Sequence, residues 1–259
     1  MQLLRVSMIQ SPIFWEDRDA NLSHFAKKLK RLRGKTDLAI LPETFTTGFS
    51  MNVLTLAETM DGKTINTLKS WAKEFDIALS GSFIAKVGDN YFNRGFFVTP
   101  TGDCHTIDKR HLFRMGQENK VYTQGNSCEI IHYKGWNIRL LVCYDLRFPV
   151  WSRNTANAYD LLIYVANWPA TRSAVWKALL PARALENMAF VCGVNRVGAD
   201  SNNVKHAGDS AIYSPKGEKL LHIPANKEAT RTCTLNKTTA DQLREKFPVW
   251  KDADAFSLL

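Results

Sequence analysis

Residues 139–149 read RLLVCYDLRFP. Ile138 through Val142 form an apolar run interrupted only by Arg139, with the length and composition of a buried strand. The run stops at Cys143, and Tyr144, Asp145, Arg147 and Pro149 follow at once. Strand, cysteine, polar turn is how a chain presents a nucleophile at the edge of a sheet. A free cysteine also packs as a small hydrophobe. Chemistry at Cys143 therefore requires a base and an electrostatic partner from elsewhere in the chain.

Two other apolar segments stop in the same way. DLAILP (37–42) is followed by Glu43, and CHTID (104–108) by Lys109. If these strands lie side by side with the cysteine strand, their ends converge at one rim of a sheet. A carboxylate, an ammonium and a thiol then meet in one cleft. Any of them alone at a strand end faces water equally well; the shared placement is the signal. The thiolate is the attacking form of cysteine. Glu43 can take the thiol proton and return it to a leaving amine. A raised pKa suits that task, and burial or a second carboxylate supplies it. Glu118, in the irregular, polar stretch 109–127, is the candidate second carboxylate. Lys109 and the backbone N–H of Tyr144 can hold the oxyanion that forms when sulfur attacks a carbonyl.

Around these segments the periodicity predicts strands over 3–9, 37–41, 77–83, 91–99, 104–108, 161–165, 190–194, 210–213, 219–223 and 231–235. It predicts helices over 20–31, 64–75, 150–158, 174–187 and 238–247, and a tail from Pro248. No composition break marks a linker. The expectation is one mixed α/β domain, residues 1–259, with helices covering sheets. FFVTPTGDCHTI (96–107) and AIYSPKGEKLLHI (211–223) share strand, Thr/Ser-Pro-x-Gly, strand. Either two hairpins occupy related places in two sheets, or a common turn recurs by chance.

The chain carries 34 Lys+Arg against 25 Asp+Glu, a net charge of +9. Nucleic-acid binding is one reading of that excess. No zinc-finger, RNP-like or basic-zipper pattern supports it. The longest basic cluster, KKLKRLRGK (27–35), reads as the outer face of an amphipathic helix. A solvated basic surface, or a site attracting small anions, is favoured. The cysteines at 104, 128, 143, 192 and 233 are odd in number and scattered. They point to reduced thiols and a cytoplasmic setting rather than to disulfides or zinc. The start, MQLLRVSMIQSP, is too polar for a signal peptide, and no apolar run approaches the roughly 20 residues that span a bilayer.

LPETF with Glu43, DKRHLF with Lys109 and VCYDLRFP with Cys143 resemble the three signature motifs of the nitrilase superfamily of carbon–nitrogen hydrolases, in that family's order. SMIQSP (7–12), GQEN with Glu118, ARALEN (182–187) and GDSAIYSPKGE (208–218) extend the likeness over nearly the whole chain. The resemblance implies an α-β-β-α sandwich: two sheets packed face to face, helices outside, usually paired into a homodimer. It implies a thioester intermediate and no metal or organic cofactor. Carried over, Glu43 is general base and acid, Lys109 the oxyanion stabiliser and Cys143 the nucleophile. Glu118 positions substrate and tunes the lysine, and Tyr144 gives the backbone donor.

The chain looks most like the omega-amidase branch, which hydrolyses the terminal amide of 2-oxoglutaramate, succinamate and similar small anionic amides. The anionic end of such a substrate needs a cation. Arg172, in the loop NWPATRS, is the first candidate; a solvent-facing loop arginine is the alternative. Phe113, Trp168 and Trp176 either wall a narrow slot or pack in the core. Arg147 reads as structural, paired with Asp145 or a glutamate. A nitrilase, an N-carbamoyl amino-acid hydrolase and another small-acid amidase are the neighbouring alternatives.

Overall fold

A computed structural model describes residues 2–127 and 129–257. Cys128 lies outside the described residues; the other four cysteines are free thiols. In chain order the strands are β1 (Leu3–Gln10), β2 (Leu38–Ile40), β3 (Ala78–Val87), β4 (Asn90–Val98), β5 (Cys104–Asp108), β6 (Ile131–Tyr133) and β7 (Trp136–Val142). They continue with β8 (Leu161–Ala166), β9 (Phe190–Asn195), β10 (Val197–Ala199), β11 (Lys205–Ala207), β12 (Ala211–Tyr213), β13 (Lys219–His222) and β14 (Ala229–Asn236). The long helices are α1 (Arg18–Lys30), α2 (Lys63–Phe75), α3 (Ser173–Asn187) and α4 (Thr238–Lys246). Among the described residues no helix is long and apolar enough to cross a membrane.

Two six-stranded sheets result, ordered β14-β1-β2-β3-β4-β5 and β13-β12-β9-β8-β7-β6. Their topologies match. β1, β2 and β3 run parallel, as do β7, β8 and β9. An antiparallel hairpin extends each triple on one side, β4-β5 in the first sheet and β12-β13 in the second. An antiparallel strand closes each on the other side, β14 and β6. The two Pro-x-Gly hairpins therefore occupy equivalent places. Crossover helices join the parallel strands, as that geometry demands.

Strand alternation divides the first sheet cleanly. Leu4, Val6, Met8, Leu38, Ile40 and Phe97 share a core with the second sheet. Ile9, Ala39, Leu41, Leu79, Phe96 and Val98 pack against Leu22, Phe25 and Leu29 of α1 and Ile65, Leu68 and Ala72 of α2. Asp17 caps α1, its Oδ1 accepting the Ala20 N–H at 2.9 Å. The basic residues of 27–35 lie on the outer face of α1 and the turn after it, as the pattern predicts, with Leu29 and Leu32 turned inward. At Gly95 the sheets approach so closely that a Cβ would lie 3.0 Å from Leu140 Cδ2.

Three expectations need correction. The strands preceding Glu43, Lys109 and Cys143 do not share one rim: β2 and β5 belong to the first sheet, β7 to the second. The polar stretch after Lys109 holds two short turns of helix, Arg114–Gly116 and Glu118–Val121. In place of one helix over 150–158 the chain makes Pro149–Ser152, then a separate turn Thr155–Asn157. Pro149 suits a first helical position, and Ala156 leaves helical geometry at φ 52°.

Candidate active site

Glu43 and Cys143 sit just past the points where their strands stop. Pro42, which has no N–H to give a ladder, follows β2, and Thr44 turns the chain at φ 42°. Between them Glu43 is driven inward. Cys143 begins a short 3-10 turn, Cys143–Arg147, with φ 46°. A non-glycine residue at positive φ is held there by its surroundings. Asp145 does much of the holding: Oδ2 accepts the Val142 N–H at 3.1 Å and Oδ1 the His111 N–H at 2.9 Å. The Leu146 carbonyl accepts from Arg183 Nη2 at 2.7 Å.

The three strand ends do meet, across the two sheets. Lys109 Nζ donates to Glu43 Oε1 at 2.9 Å and to Glu118 at 3.0 Å. Cys143 and Glu43 line the same cleft, where the Glu43 charge acts on the thiol. Glu43, Lys109 and Glu118 are almost wholly buried; Cys143 keeps 8% exposure, at the floor of a cleft of about 370 Å³. Glu118 is held by the Phe113 N–H, 2.6 Å from Oε2. Tyr144 lines the cleft and follows the nucleophile in the first turn, where backbone N–H groups lack an intrahelical acceptor.

Two asparagines complete the frame, and the sequence reading missed both as site residues. Asn93, buried within β4, donates to Glu43 Oε1 at 2.8 Å and Glu118 Oε1 at 3.2 Å, while its own oxygen accepts from Ser82 at 2.9 Å. Asn167 donates its backbone N–H to Glu43 Oε2 at 2.7 Å and its side-chain amide to the Glu43 carbonyl at 2.7 Å. An asparagine inside an apolar strand, and one at a strand end, were the available signals.

This frame sets the protonation states. Burial pushes Glu43 up, but the Lys109 charge and the hydrogen bonds from Lys109 and Asn167 outweigh it, so its pKa is lowered. The expected rise falls on Glu118 instead, through burial and the neighbouring Glu43 charge, against the pull of Lys109. Burial opposes the Lys109 charge, yet the flanking Glu118 and Glu43 carboxylates hold its pKa well above the ordinary value. Burial and the Glu43 charge push the Cys143 thiol far up, so it rests protonated beside an ionised base.

Of the substrate-facing candidates, Phe113, Trp168 and Arg172 line the cleft. Arg172 lies over the Phe113 ring at 5.2 Å, and its carbonyl accepts the Trp168 indole N–H at 2.8 Å. Trp176 does not line the cleft. It is 1% exposed, packs behind Trp168 with ring centroids 5.5 Å apart, and donates its N–H to the Asp209 carbonyl. Arg147 is not paired with Asp145, whose oxygens are taken by His111 and Val142. It lines the cleft and lies over the Trp168 ring at 5.5 Å.

The carbon–nitrogen hydrolase family profile matches residues 5–245. The chain belongs to the carbon–nitrogen hydrolase family. This hydrolase is 44% identical to omega-amidase YafV of Escherichia coli, over 98% of each chain. It is 28% identical to 2-oxoglutaramate amidase of Bacillus subtilis, over 95% of this chain and 96% of that one. A Xanthomonas campestris protein of the same superfamily, solved with an arsenic adduct in its active site, superposes with a TM-score of 0.97 at 41% identity over the whole of both chains.

Proposed function

We propose that this hydrolase, acting as a single domain over its whole length, releases ammonia from the terminal amide of a short dicarboxylic or 2-oxo dicarboxylic acid monoamide. The observation that carries the reading is the meeting of Cys143, Glu43 and Lys109 in one cleft, with Lys109 Nζ bridging Glu43 and the buried Glu118. The names of the Escherichia coli and Bacillus subtilis relatives support the substrate class.

Glu43 takes the thiol proton as sulfur bonds to the amide carbon. The carbonyl electrons move onto oxygen, which Lys109 Nζ and the Tyr144 N–H stabilise. Glu43 gives its proton to nitrogen, the C–N bond breaks, and ammonia leaves a thioester on Cys143. Glu43 then deprotonates a water, which attacks the thioester. The C–S bond breaks and the thiol is restored. Arg172, with Phe113 and Trp168 as apolar walls, receives the anionic end. A cytoplasmic homodimer is the proposed state, checked by sedimentation.

The test is ammonia release from 2-oxoglutaramate and succinamate. Cys143→Ala is expected to reduce it to background, and acid-quenched wild type to show an acyl mass on the Cys143 peptide. Full turnover by Cys143→Ala would refute the mechanism.

A further inference from the structure

Nearly every buried polar atom of a folded chain has a hydrogen-bond partner, so an orphan in a cleft points to a group that arrives from outside. Among the described residues that line the cleft, Asn167 Oδ1 and His206 Nδ1 are buried without a partner. Asn167 is the one bonded to the general base. Its Nδ2 donates to the Glu43 carbonyl at 2.7 Å and to Thr44 Oγ1 at 3.0 Å. A carbonyl only accepts, so nitrogen must face Glu43 and the amide cannot turn over. Both amide hydrogens are then spent. The oxygen is fixed in place on a residue only 5% exposed.

The two oxygens of Glu43 are unequally loaded. Oε1 accepts from Lys109 at 2.9 Å and Asn93 at 2.8 Å, whereas Oε2 takes the Asn167 backbone N–H at 2.7 Å. Oε2 is therefore the oxygen freer to carry a proton. One residue thus touches the proton-carrying oxygen and also brings an acceptor with nothing to accept. A primary amide undergoing cleavage supplies N–H donors, and departing ammonia supplies more. The corresponding ester supplies none.

Resting on the amidase reading above, we propose that Asn167 is a further catalytic residue, one that recognises the leaving group: its Oδ1 accepts an N–H of the scissile amide. That bond holds nitrogen with its lone pair toward protonated Glu43. As the tetrahedral intermediate collapses, the Glu43 proton passes to nitrogen, the C–N bond breaks, and the C=O bond of the thioester re-forms. Nitrogen gains positive charge on the way, so the N–H bond to Oδ1 is stronger in the transition state than in the bound substrate and contributes to rate. The site thereby selects an amide over the ester of the same acid, whose leaving oxygen meets Oδ1 lone pair to lone pair.

Succinate formation is measured from succinamate and from monomethyl succinate with wild type, Asn167→Ala and Asn167→Asp. Both substrates give the same thioester, so the ratio of their kcat/KM values compares acylation alone. In Asn167→Ala the amide-to-ester ratio falls about 10- to 100-fold, the range for losing a hydrogen bond to a group that gains charge. Asn167→Asp keeps an oxygen at Oδ1 and loses both Nδ2 bonds, so the two substrates slow together and the wild-type ratio holds. Equal losses on amide and ester in Asn167→Ala would make Asn167 a strut for Glu43 alone and overturn the proposal. A ratio that collapses in Asn167→Asp would also overturn it, and this arm decides the matter if circular dichroism shows Asn167→Ala unfolded. Wild type that forms succinate from the ester but releases ammonia from neither succinamate nor 2-oxoglutaramate would instead refute the amidase reading, and this proposal with it.

Discussion

Glu43 works because its neighbours keep it ionised while burial surrounds it. Removing a donor should therefore move its titration. Asn93→Ala deletes the 2.8 Å bond to Glu43 Oε1, so the Glu43 pKa rises and the acid limb of kcat/KM shifts to higher pH. A pH–rate profile checks the direction. Glu43→Gln, which cannot carry the proton, is expected to lower kcat by about 10²–10⁴ in the same assay. His206 provides a separate pH effect. Burial first, then the Arg196 charge, lower its pKa from 6.5 to about 4. As pH falls the unfolded chain takes this proton before the folded one. The stability concerned is full above about pH 6.5 and lost progressively toward pH 4, on the order of 3 kcal/mol in all. His24 is shifted the same way, so the diagnostic quantity is the difference between wild type and His206→Asn in urea unfolding at pH 7 and pH 4.5. The variant should lose less on acidification.

At the scale of elements, the helices and strands bearing strong patterns were legible in sequence. Cys104–Asp108, with Lys109 after it, coincides with β5, and the faces of α1 and α2 follow from Leu22, Phe25, Ile65 and Leu68. Asn93 was not legible, because a buried asparagine inside a strand declares its role only when the carboxylates it bonds are beside it. Arg147 was misread for a related reason: Asp145, its nearest acid in sequence, is consumed by His111. The three-residue strands β10 and β11 are too short to carry a period. Close contact between elements is likewise invisible one-dimensionally. Gly193 in β9 lies under α3, where a Cβ would stand 2.6 Å from Leu180 Cδ1 and 2.8 Å from Trp176. Gly193→Ala should destabilise by about 1–3 kcal/mol through overpacking. Adding Leu180→Ala, which vacates that space, should cost less than the two single changes summed, as a double-mutant cycle in urea would reveal.

For the molecule as a whole, sequence could place three chemical groups at strand ends but not the relation between the two sheets. That relation decides the site. The acid and the amine stand on one sheet, the sulfur on the other, and the packing of Leu4, Val6, Met8, Leu38, Ile40 and Phe97 against the opposite layer, with the Asn167 bonds to Glu43, keeps them in register. On gradual denaturation, ammonia release should vanish at lower urea than the far-ultraviolet circular dichroism signal. A displacement of about 1 Å can cost a hundredfold in rate, while backbone hydrogen bonds within each layer survive it. Catalysis here is a gauge of docking. A molecule whose halves have slipped apart can keep every helix and strand and still be inert.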